Sequence, residues 1–259
     1  MGAAFYQNAM NTVERFSNRV ENYVKYRPDY PPEVLDLFRR EMNLQTDSVV
    51  ADVGSGTGIS AKMFLENGNP VFGVEPNALM RDAAEEFLKV FPNFKNIDGT
   101  AENTNLPDKS VNFVVAAQAF HWFDKAETLK EFTRILRAEG FVALIWNERQ
   151  LDTNEFLRGY EKILLKFGND YEKVRHDNLD ENLFADFFQR DFRRKTFQNA
   201  QTVDFEGLKG RVLSSSYMPA ETDESFEPLI NELQRLFAKY AENGKIQILY
   251  NTNVFYSRF

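Results

Sequence analysis

Three glycines at alternate positions follow a short apolar run in Asp52-Val-Gly-Ser-Gly-Thr-Gly58. Such glycines allow backbone N–H groups to approach a ligand closely, and a helix that begins directly after them adds unpaired N–H groups. The spacing differs from the G-x-G-x-x-G of dinucleotide-binding proteins, because position 59 is Ile, and no Lys-Ser or Lys-Thr pair follows as in a phosphate loop. The loop therefore predicts a nucleoside site without a dedicated pyrophosphate cradle.

Glu75 is the second candidate, because it ends the predicted strand Val71-Phe-Gly-Val-Glu75, about 20 residues after the first glycine. In nucleotide-binding α/β proteins, a carboxylate at this place accepts hydrogen bonds from the ribose hydroxyls. The alternative is a plain turn between a strand and a helix, which needs no ligand. The strand before the glycines and the amphipathic helix after them favour the ligand site.

Short β-rich runs alternate with amphipathic helical runs between Ser48 and Asn147. This alternation predicts βαβ units and a mostly parallel sheet with helices on both faces, because the strands are almost wholly apolar. Ligands of such sheets bind outside the carboxyl ends of the strands. The predicted strands are 48–53, 71–75, 94–98, 111–116 and 141–146; the predicted helices are 59–67, one capped by Asn77, and one that begins at Asp124 and ends at Gly140.

The chain is predicted to have three parts. Residues 1–150 contain an N-terminal cap segment and the cofactor-binding βαβ core, and residues 151–216 form a helical, lid-like elaboration. Residues 217–259 add a helix and a strand that complete the sheet. Within the elaboration, the segment 192–203 is also compatible with a strand. We therefore expect one α/β domain that carries an insertion.

The composition excludes several classes of function. The 259 residues carry a formal net charge of −8, so a chain-wide basic surface for nucleic acid is missing. The chain has no cysteine, which excludes disulfides, thiolate nucleophiles and cysteine-ligated metals. No apolar run approaches the ~20 residues that cross a bilayer, and the first ten residues lack a secretion signal. We therefore expect a cytoplasmic protein that binds neither nucleic acid nor membranes.

Five motifs, in order, resemble those of the class I S-adenosylmethionine-dependent methyltransferases. The glycine loop is similar to the first motif of that family, and Glu75-Pro-Asn resembles its ribose-binding acidic motif. The other three matches are Gly99-Thr-Ala-Glu102 with Leu106-Pro107, Gln118-Ala-Phe-His-Trp122, and Leu136-Arg-Ala-Glu-Gly140, where Ala and Glu replace the family's Pro and first Gly. Tyr26-Arg-Pro and Ala-Phe-His-Trp look most like small-molecule methyltransferases of the trans-aconitate type.

This resemblance implies a Rossmann-like seven-stranded sheet, S-adenosylmethionine as cofactor, and metal-independent, in-line transfer of its methyl group to a small molecule. It implies that Glu75 binds the ribose, that Ala101 and Glu102 lie near the adenine, and that Gln118 lines the methionine end. Arg27 either pairs with the methionine carboxylate or serves only as a turn element. The implied cofactor residues are Arg27, Asp52, Gly54, Ser55, Gly56, Gly58, Glu75, Pro76, Met80, Ala101, Glu102, Gln118 and Ala119.

Three residues are candidates for the acceptor side. His121 follows the 111–116 strand and can orient an acceptor or accept a proton, and the alternative is a packing histidine. Arg211 and Tyr217 belong to an Arg/Ser/Tyr segment that can bind an anionic acceptor such as a carboxylate, or can cap a helix. The alternatives are a quinone-precursor, lipid or protein acceptor, or a non-catalytic module that binds the cofactor. The sequence is compatible with a monomer and with a homodimer.

Overall fold

A computed structural model describes residues 25–169, 171, 181–215 and 217–259. These residues form one seven-stranded sheet. Its strands are β1 (Val50–Val53), β2 (Val71–Val74), β3 (Phe94–Ile97), β4 (Val111–Ala117), β5 (Leu136–Arg149), β6 (Arg193–Val203) and β7 (Ile246–Arg258). The helices are α1 (Pro32–Glu41), α2 (Ile59–Glu66), α3 (Ala78–Leu88), α4 (Lys125–Ile135), α5 (Glu155–Phe167), α6 (Glu181–Phe188), α7 (Phe205–Leu213) and α8 (Phe226–Tyr240), and a 3-10 turn covers Phe120–Trp122.

The strand order is β3-β2-β1-β4-β5-β7-β6. Strands β1 to β5 are parallel, and β7 is antiparallel to both of its neighbours. The chain runs outward from β1 through β3 and then returns to place β4 beside β1 on the other side. The carboxyl ends of β1 and β4 therefore flank the point where the strand order reverses, which is where ligands bind in open α/β sheets. The predicted fold class is confirmed.

Helices cover both faces of the sheet. The residues of β4 alternate between the two apolar cores that the helices form with it. Val114 and Ala116 pack in a core with α4 and α6, whereas Phe113 and Val115 pack in a second core with α1 and α2. A third apolar cluster joins α5, α7 and α8 to one end of β7, through residues such as Tyr250. We call α5, α7 and α8 together the lid.

Side-chain caps fix where two of the core helices begin. Asn77 accepts hydrogen bonds from the N–H groups of the first turn of α3, and Asp124 does the same for α4. The backbone N–H of Asp124 donates to the carboxylate of Glu102 at 2.9 Å. The loop that follows β3 is thereby tied to the start of α4.

The structure corrects the description of residues 151–216 as helical. Residues 193–203 form β6, the edge strand of the main sheet, with eleven residues paired against β7. The strand that the sequence allowed over 192–203 is confirmed, and most of its residues are exposed or half-buried because it lies at the edge of the sheet. The segment therefore helps to complete the sheet, together with the last strand.

The expectation that Gly140 ends a helix is wrong. Helix α4 ends at Ile135, and the next five residues form an irregular stretch of β5, in which the register against β4 shifts between Leu136 and Phe141. Glu139 has a φ of +66°, and a Cβ atom on Gly140 would lie 2.9 Å from the carbonyl oxygen of Asn112. Gly140 is thus a close-packing position inside a bulged strand.

Candidate active site

The glycine loop between β1 and α2 has a left-handed backbone at each of its glycines, with φ values of +70° at Gly54, +53° at Gly56 and +86° at Gly58. A Cβ atom on Gly54 would lie 2.5 Å from the Cβ of Ala119. One on Gly58 would lie 2.5 Å from Leu88 Cδ1, whereas nothing lies within 4 Å of that position on Gly56. Gly54 and Gly58 therefore allow close packing, and Gly56 faces open space.

Glu75, directly after β2, reaches across to this loop. Its Oε2 atom accepts a hydrogen bond from the N–H of Gly56 at 3.0 Å, and its Oε1 atom accepts one from the N–H of Asn77 at 2.9 Å. Burial raises the pKa of Glu75, and the two N–H groups oppose that rise. Each oxygen retains a lone pair that a hydroxyl group of a ligand can donate to.

Asp52 lies in β1 and is fully buried. The Ser60 hydroxyl donates to its Oδ2 atom at 2.7 Å, and Oδ1 has no hydrogen-bond partner. Burial raises the pKa of Asp52 to about 7, and the negative charge of Glu75 contributes to the rise. Asp52 thus lies beneath the loop, outside the lining of the cleft that follows.

A cleft with an empty volume of about 470 Å³, part of it open to solvent, lies at the carboxyl ends of β1 and β4. It contains six of the sequence-predicted site residues: Arg27, Gly54, Ser55, Gly56, Gln118 and Arg211. Residues from the start of the described chain and from the lid also line it, so three separate parts of the sequence meet there. The remaining lining residues are Pro28, Tyr30, Thr57, Ile59, Ser60, Ala117 and Asn147.

Residues 25–30, which we call the strap, close one side of this cleft. The Gln201 side chain donates to the carbonyl oxygen of Tyr26 at 2.9 Å, and Asn199 donates to that of Asp29 at 2.8 Å. The Tyr26 ring lies on Gly210 of α7, where a Cβ atom would come within 2.1 Å of the ring. Strand β6 and helix α7 therefore hold the strap in place.

Arg27, in the strap, joins the cleft to the lid. Its Nη2 atom donates to the carbonyl oxygen of Ser214 at 3.1 Å. The side chain is half-buried and lines the cleft beside the glycine loop. It can therefore face an anionic group of a ligand bound there.

Gln118 follows β4 and has a φ of +59°, which is uncommon for a residue other than glycine. Its Nε2 atom donates to the carbonyl oxygen of Asn147 at 3.0 Å, while Oε1 is buried and without a hydrogen-bond partner. The buried hydroxyl of Ser55 also has no partner. Ser55 and Gln118 both line the cleft, and each holds a buried oxygen that is left without a protein partner.

Arg211, from α7, brings a buried positive charge to the other side of the cleft. It is 8% exposed, and it donates from Nε to the Tyr250 hydroxyl and from Nη1 to Ser215 Oγ, both at 3.3 Å. Burial alone would lower its pKa, but the phenol oxygens around it, led by that of Tyr250, raise it, so the guanidinium stays charged. No carboxylate within the described ranges forms an ion pair with it. A buried cation without a counter-ion favours an anionic ligand.

His121 is outside the lining of the cleft. Part of its side chain is exposed, yet the ring lies against Trp122 at a centroid distance of 4.5 Å and is crowded by protein atoms. This desolvation, with the charge of Lys125 adding to it, lowers the pKa of His121 to about 4. The imidazole is therefore neutral at pH 7.

The other predicted residues, Gly58 and Glu75 included, lie outside the lining of the cleft. Ala119 packs on Gly54, and the Glu102 carboxylate accepts the N–H of Asp124. The Tyr217 ring contacts that of Tyr171, with 4.9 Å between centroids. Met80 and Ala101 are buried, and Pro76 is exposed.

Sequence reasoning missed Asn147, Gln201 and Tyr250. Asn147 directly follows the predicted strand 141–146, so the rule that ligands bind after the strands of a parallel sheet was enough to find it. No local signal identifies Gln201 and Tyr250, because they are separated by 49 positions and meet only through the antiparallel pairing of β6 with β7.

Over the residues that the structure describes, no helix is long and apolar enough to cross a membrane. Within the same ranges, no three His, Asp or Glu side chains are grouped so that they could hold a metal ion.

Comparisons with known proteins agree with this architecture. Residues 51–144 match a family model described as a methyltransferase domain. The chain is 27% identical over 249 residues to an uncharacterized methyltransferase-like protein of Schizosaccharomyces pombe, covering 95% of each chain. It is 37% identical over 134 residues to an uncharacterized methyltransferase of Mycobacterium tuberculosis, covering 52% of each chain.

Solved structures share the fold. A protein of Anaeromyxobacter dehalogenans described as a type II methyltransferase superposes with a TM-score of 0.67 at 20% identity, over 90% of this chain and 98% of the other. The YcgJ protein of Bacillus subtilis superposes with a TM-score of 0.54 at 18% identity, over 87% and 97%.

The fold and these similarities show an S-adenosylmethionine-dependent methyltransferase, with the sheet architecture of the class I enzymes. Its methyl donor is S-adenosylmethionine. The residues of the cleft fit this molecule in their chemistry: open space beside Gly56, unpartnered oxygens on Ser55 and Gln118, and guanidinium groups for a carboxylate.

Proposed function

We propose that this methyltransferase acts on a small molecule that carries a carboxylate or another anionic group, and that Arg211 binds that group. The supporting observation is that the buried guanidinium of Arg211 lines the same cleft as the glycine loop and has no carboxylate partner within the described ranges. An acceptor anion at this place would supply the missing counter-charge close to the methyl donor.

On the cofactor side, we propose a role for each predicted residue, both in the cleft lining and outside it. Glu75 accepts the ribose hydroxyls, since its two oxygens each retain a lone pair beside Gly56. Arg27 pairs with the methionine carboxylate, and Gln118 Oε1 accepts from the ammonium group. Asp52, Gly54, Ser55 and Gly58 shape the loop, and Pro76, Met80, Ala101, Glu102 and Ala119 enclose the adenosyl part.

S-adenosylmethionine supplies an electrophilic methyl group on a sulfonium, and transfer of that methyl group releases a neutral thioether. The protein therefore has to align the acceptor, exclude water and, for some acceptors, receive a proton. The proposed reaction is metal-independent because no Lewis acid is required. Arg211 would fix the acceptor by one end, which leaves its other end to face the donor.

His121 and Tyr217 stay proposals for the acceptor side. The lowered pKa of His121 makes it a neutral base at pH 7, and Tyr217 lies close enough to Arg211 to influence the pKa of the guanidinium. We further propose a cytoplasmic enzyme, monomeric or homodimeric, that does not act on nucleic acid. The motifs Tyr26-Arg-Pro and Ala-Phe-His-Trp support a relationship to small-molecule methyltransferases of the trans-aconitate type.

The decisive experiment is an acceptor panel of small carboxylic acids, each paired with its uncharged primary amide, with release of S-adenosylhomocysteine as the readout. We expect acids but not amides to turn over, and we expect Arg211→Gln to lower kcat/KM by about 100-fold. The control is Arg158→Gln, which removes an exposed arginine of α5. Equal turnover of amides, with Arg211→Gln as active as the parent enzyme, would overturn the anionic acceptor.

A further inference from the structure

A line of hydrogen bonds connects Arg211 with the strap. Arg211 Nε donates to the Tyr250 hydroxyl at 3.3 Å, that hydroxyl donates to Gln201 Oε1 at 3.4 Å, and Gln201 Nε2 donates to the carbonyl oxygen of Tyr26 at 2.9 Å. Tyr250 is 1% exposed and lies in β7, while Gln201 lies in β6. Three separate elements therefore contribute to one connected group.

The chemistry of the two ends fixes the direction of every bond in this line. A carbonyl oxygen only accepts, so the amide nitrogen of Gln201 must face Tyr26 and its amide oxygen must face Tyr250. That oxygen also only accepts, so the single hydroxyl proton of Tyr250 is directed towards it. The lone pairs of the hydroxyl are then left for Arg211, whose guanidinium can only donate.

The other bond of Arg211 limits its rotation. Nη1 donates to Ser215 Oγ at 3.3 Å, so two bonds, at Nε and at Nη1, hold a planar group. A guanidinium has five N–H donors in one plane, and fixing two of them fixes the direction of the rest. The phenol rings around it keep the group charged while it is buried.

We infer that Tyr250 is a positioning residue for the acceptor: its hydroxyl, oriented by Gln201, holds the Arg211 guanidinium so that its remaining N–H groups face the acceptor anion. This inference rests on the proposed function of Arg211. The same line ends on the strap, so the group that orients Arg211 also contacts the segment that carries Arg27. Tyr250 is thus more than a core phenol, although it also packs in the third apolar cluster.

Tyr250→Phe removes only the hydroxyl and keeps the ring in its place. The matched control is Tyr160→Phe. Tyr160, in α5, is also buried and contributes to raising the pKa of Arg211, but it makes no hydrogen bond to it. For the acid found in the panel, we expect Tyr250→Phe to raise the acceptor KM by about tenfold and to leave kcat within about twofold. The affinity for S-adenosylhomocysteine should not change in either variant.

A double-mutant cycle separates positioning from packing. Arg211→Lys keeps a positive charge but has no Nε–H, so adding Tyr250→Phe to it should raise the acceptor KM no further. An equal KM increase in both backgrounds, or an equal increase for Tyr160→Phe, would show that the hydroxyl does not act through Arg211 and would overturn the inference.

One readout does not depend on the acceptor. In the protein saturated with S-adenosylhomocysteine and labelled with ¹⁵N-arginine, the Nε–H signal of Arg211, assigned from its loss in Arg211→Lys, should exchange with water faster in Tyr250→Phe. An unchanged exchange rate contradicts the inference even if the acid panel succeeds. If no acid turns over but the exchange rate rises, the anionic acceptor is contradicted and the Tyr250–Arg211 bond is confirmed. The role of Tyr250 in positioning an acceptor is then contradicted together with the anionic acceptor.

Discussion

Glu75 Oε2 accepts a hydrogen bond from the backbone N–H of Gly56 at 3.0 Å, and this contact joins the end of β2 to the glycine loop that follows β1. Gly56 lines the cleft, whereas Glu75 lies just outside its lining and reaches the loop through this bond. The residue proposed to bind the ribose is therefore held in position by the loop itself.

Replacing Glu75 tests this arrangement. Glu75→Ala should weaken binding of S-adenosylhomocysteine by about 1–3 kcal/mol, through loss of hydrogen bonds to a charged acceptor. Isothermal titration calorimetry measures the change. Glu86→Ala, which removes an exposed glutamate paired with Lys89 on α3, is the control and should bind as the parent does. An unchanged dissociation constant for Glu75→Ala would place the ribose elsewhere.

Alanine at the loop glycines should separate backbone strain from ligand contact. Gly56→Ala and Gly244→Ala both put a side chain at positive φ with nothing within 4 Å, so each should lower the free energy of unfolding by about 1 kcal/mol. Only Gly56→Ala should weaken cofactor binding, since Gly56 lines the cleft and Gly244 does not. Urea unfolding and calorimetry measure the two effects, and equal cofactor binding in both variants would refute the assignment of Gly56.

Gly54→Ala should behave differently, because its Cβ would lie 2.5 Å from that of Ala119. Backbone strain and overpacking together should cost about 3 kcal/mol of stability. Urea unfolding measures the loss, and a loss no greater than that of Gly56→Ala would show that the contact with Ala119 relaxes freely.

Asp52 predicts a dependence of stability on pH. Its pKa is about 7 in the folded protein, above its ordinary value of 3.8, so the folded state holds a proton that the unfolded state releases between these values. Stability should therefore fall as pH rises from about 4 to 7, and the penalty is complete above pH 7. Asp52→Asn removes this penalty. The free energy of unfolding of the variant, relative to that of the parent, should therefore rise by on the order of 2–3 kcal/mol from pH 5 to pH 8. Urea unfolding at both values checks this, and a pH-independent difference would contradict it.

The strap predicts a selective effect at Gly210. Gly210→Ala would place its Cβ 2.1 Å from the Tyr26 ring, so the ring must move and Arg27 with it. We expect S-adenosylhomocysteine to bind about tenfold more weakly and the segment 25–30 to become more sensitive to limited proteolysis. The control is Gly159→Ala in α5, whose new Cβ meets only the flexible end of Leu236. The same loss of affinity in both variants would argue for a general packing defect.

Much of the cofactor half of the site could be predicted from the sequence, because its signals are local. The glycines, the predicted strand before them and Glu75 lie within 28 positions, and the rule for parallel sheets states where such residues meet. Asn77 and Asp124 likewise carry the cap signal in their own residue type, and both caps are confirmed.

The proposed acceptor half could be predicted only in part. Arg211 was a candidate, but its partners Tyr250 and Gln201 come from distant strands, and no periodicity connects them. The edge strand β6 could be predicted as a strand, but its pairing with β7 could not, because no local signal connects the two segments. The side of the cleft formed by the strap depends on tertiary contacts of Tyr26 with Gly210 and Gln201, for which no short motif exists.

The central claim, that the cleft beside Gly56 and Glu75 binds S-adenosylmethionine, is tested most directly by titrating the purified protein with S-adenosylhomocysteine and, separately, with NAD. We predict saturable binding of S-adenosylhomocysteine that Glu75→Ala weakens, and no response to NAD, since the glycine spacing provides no pyrophosphate cradle. Saturable binding of NAD without any response to S-adenosylhomocysteine would contradict the account.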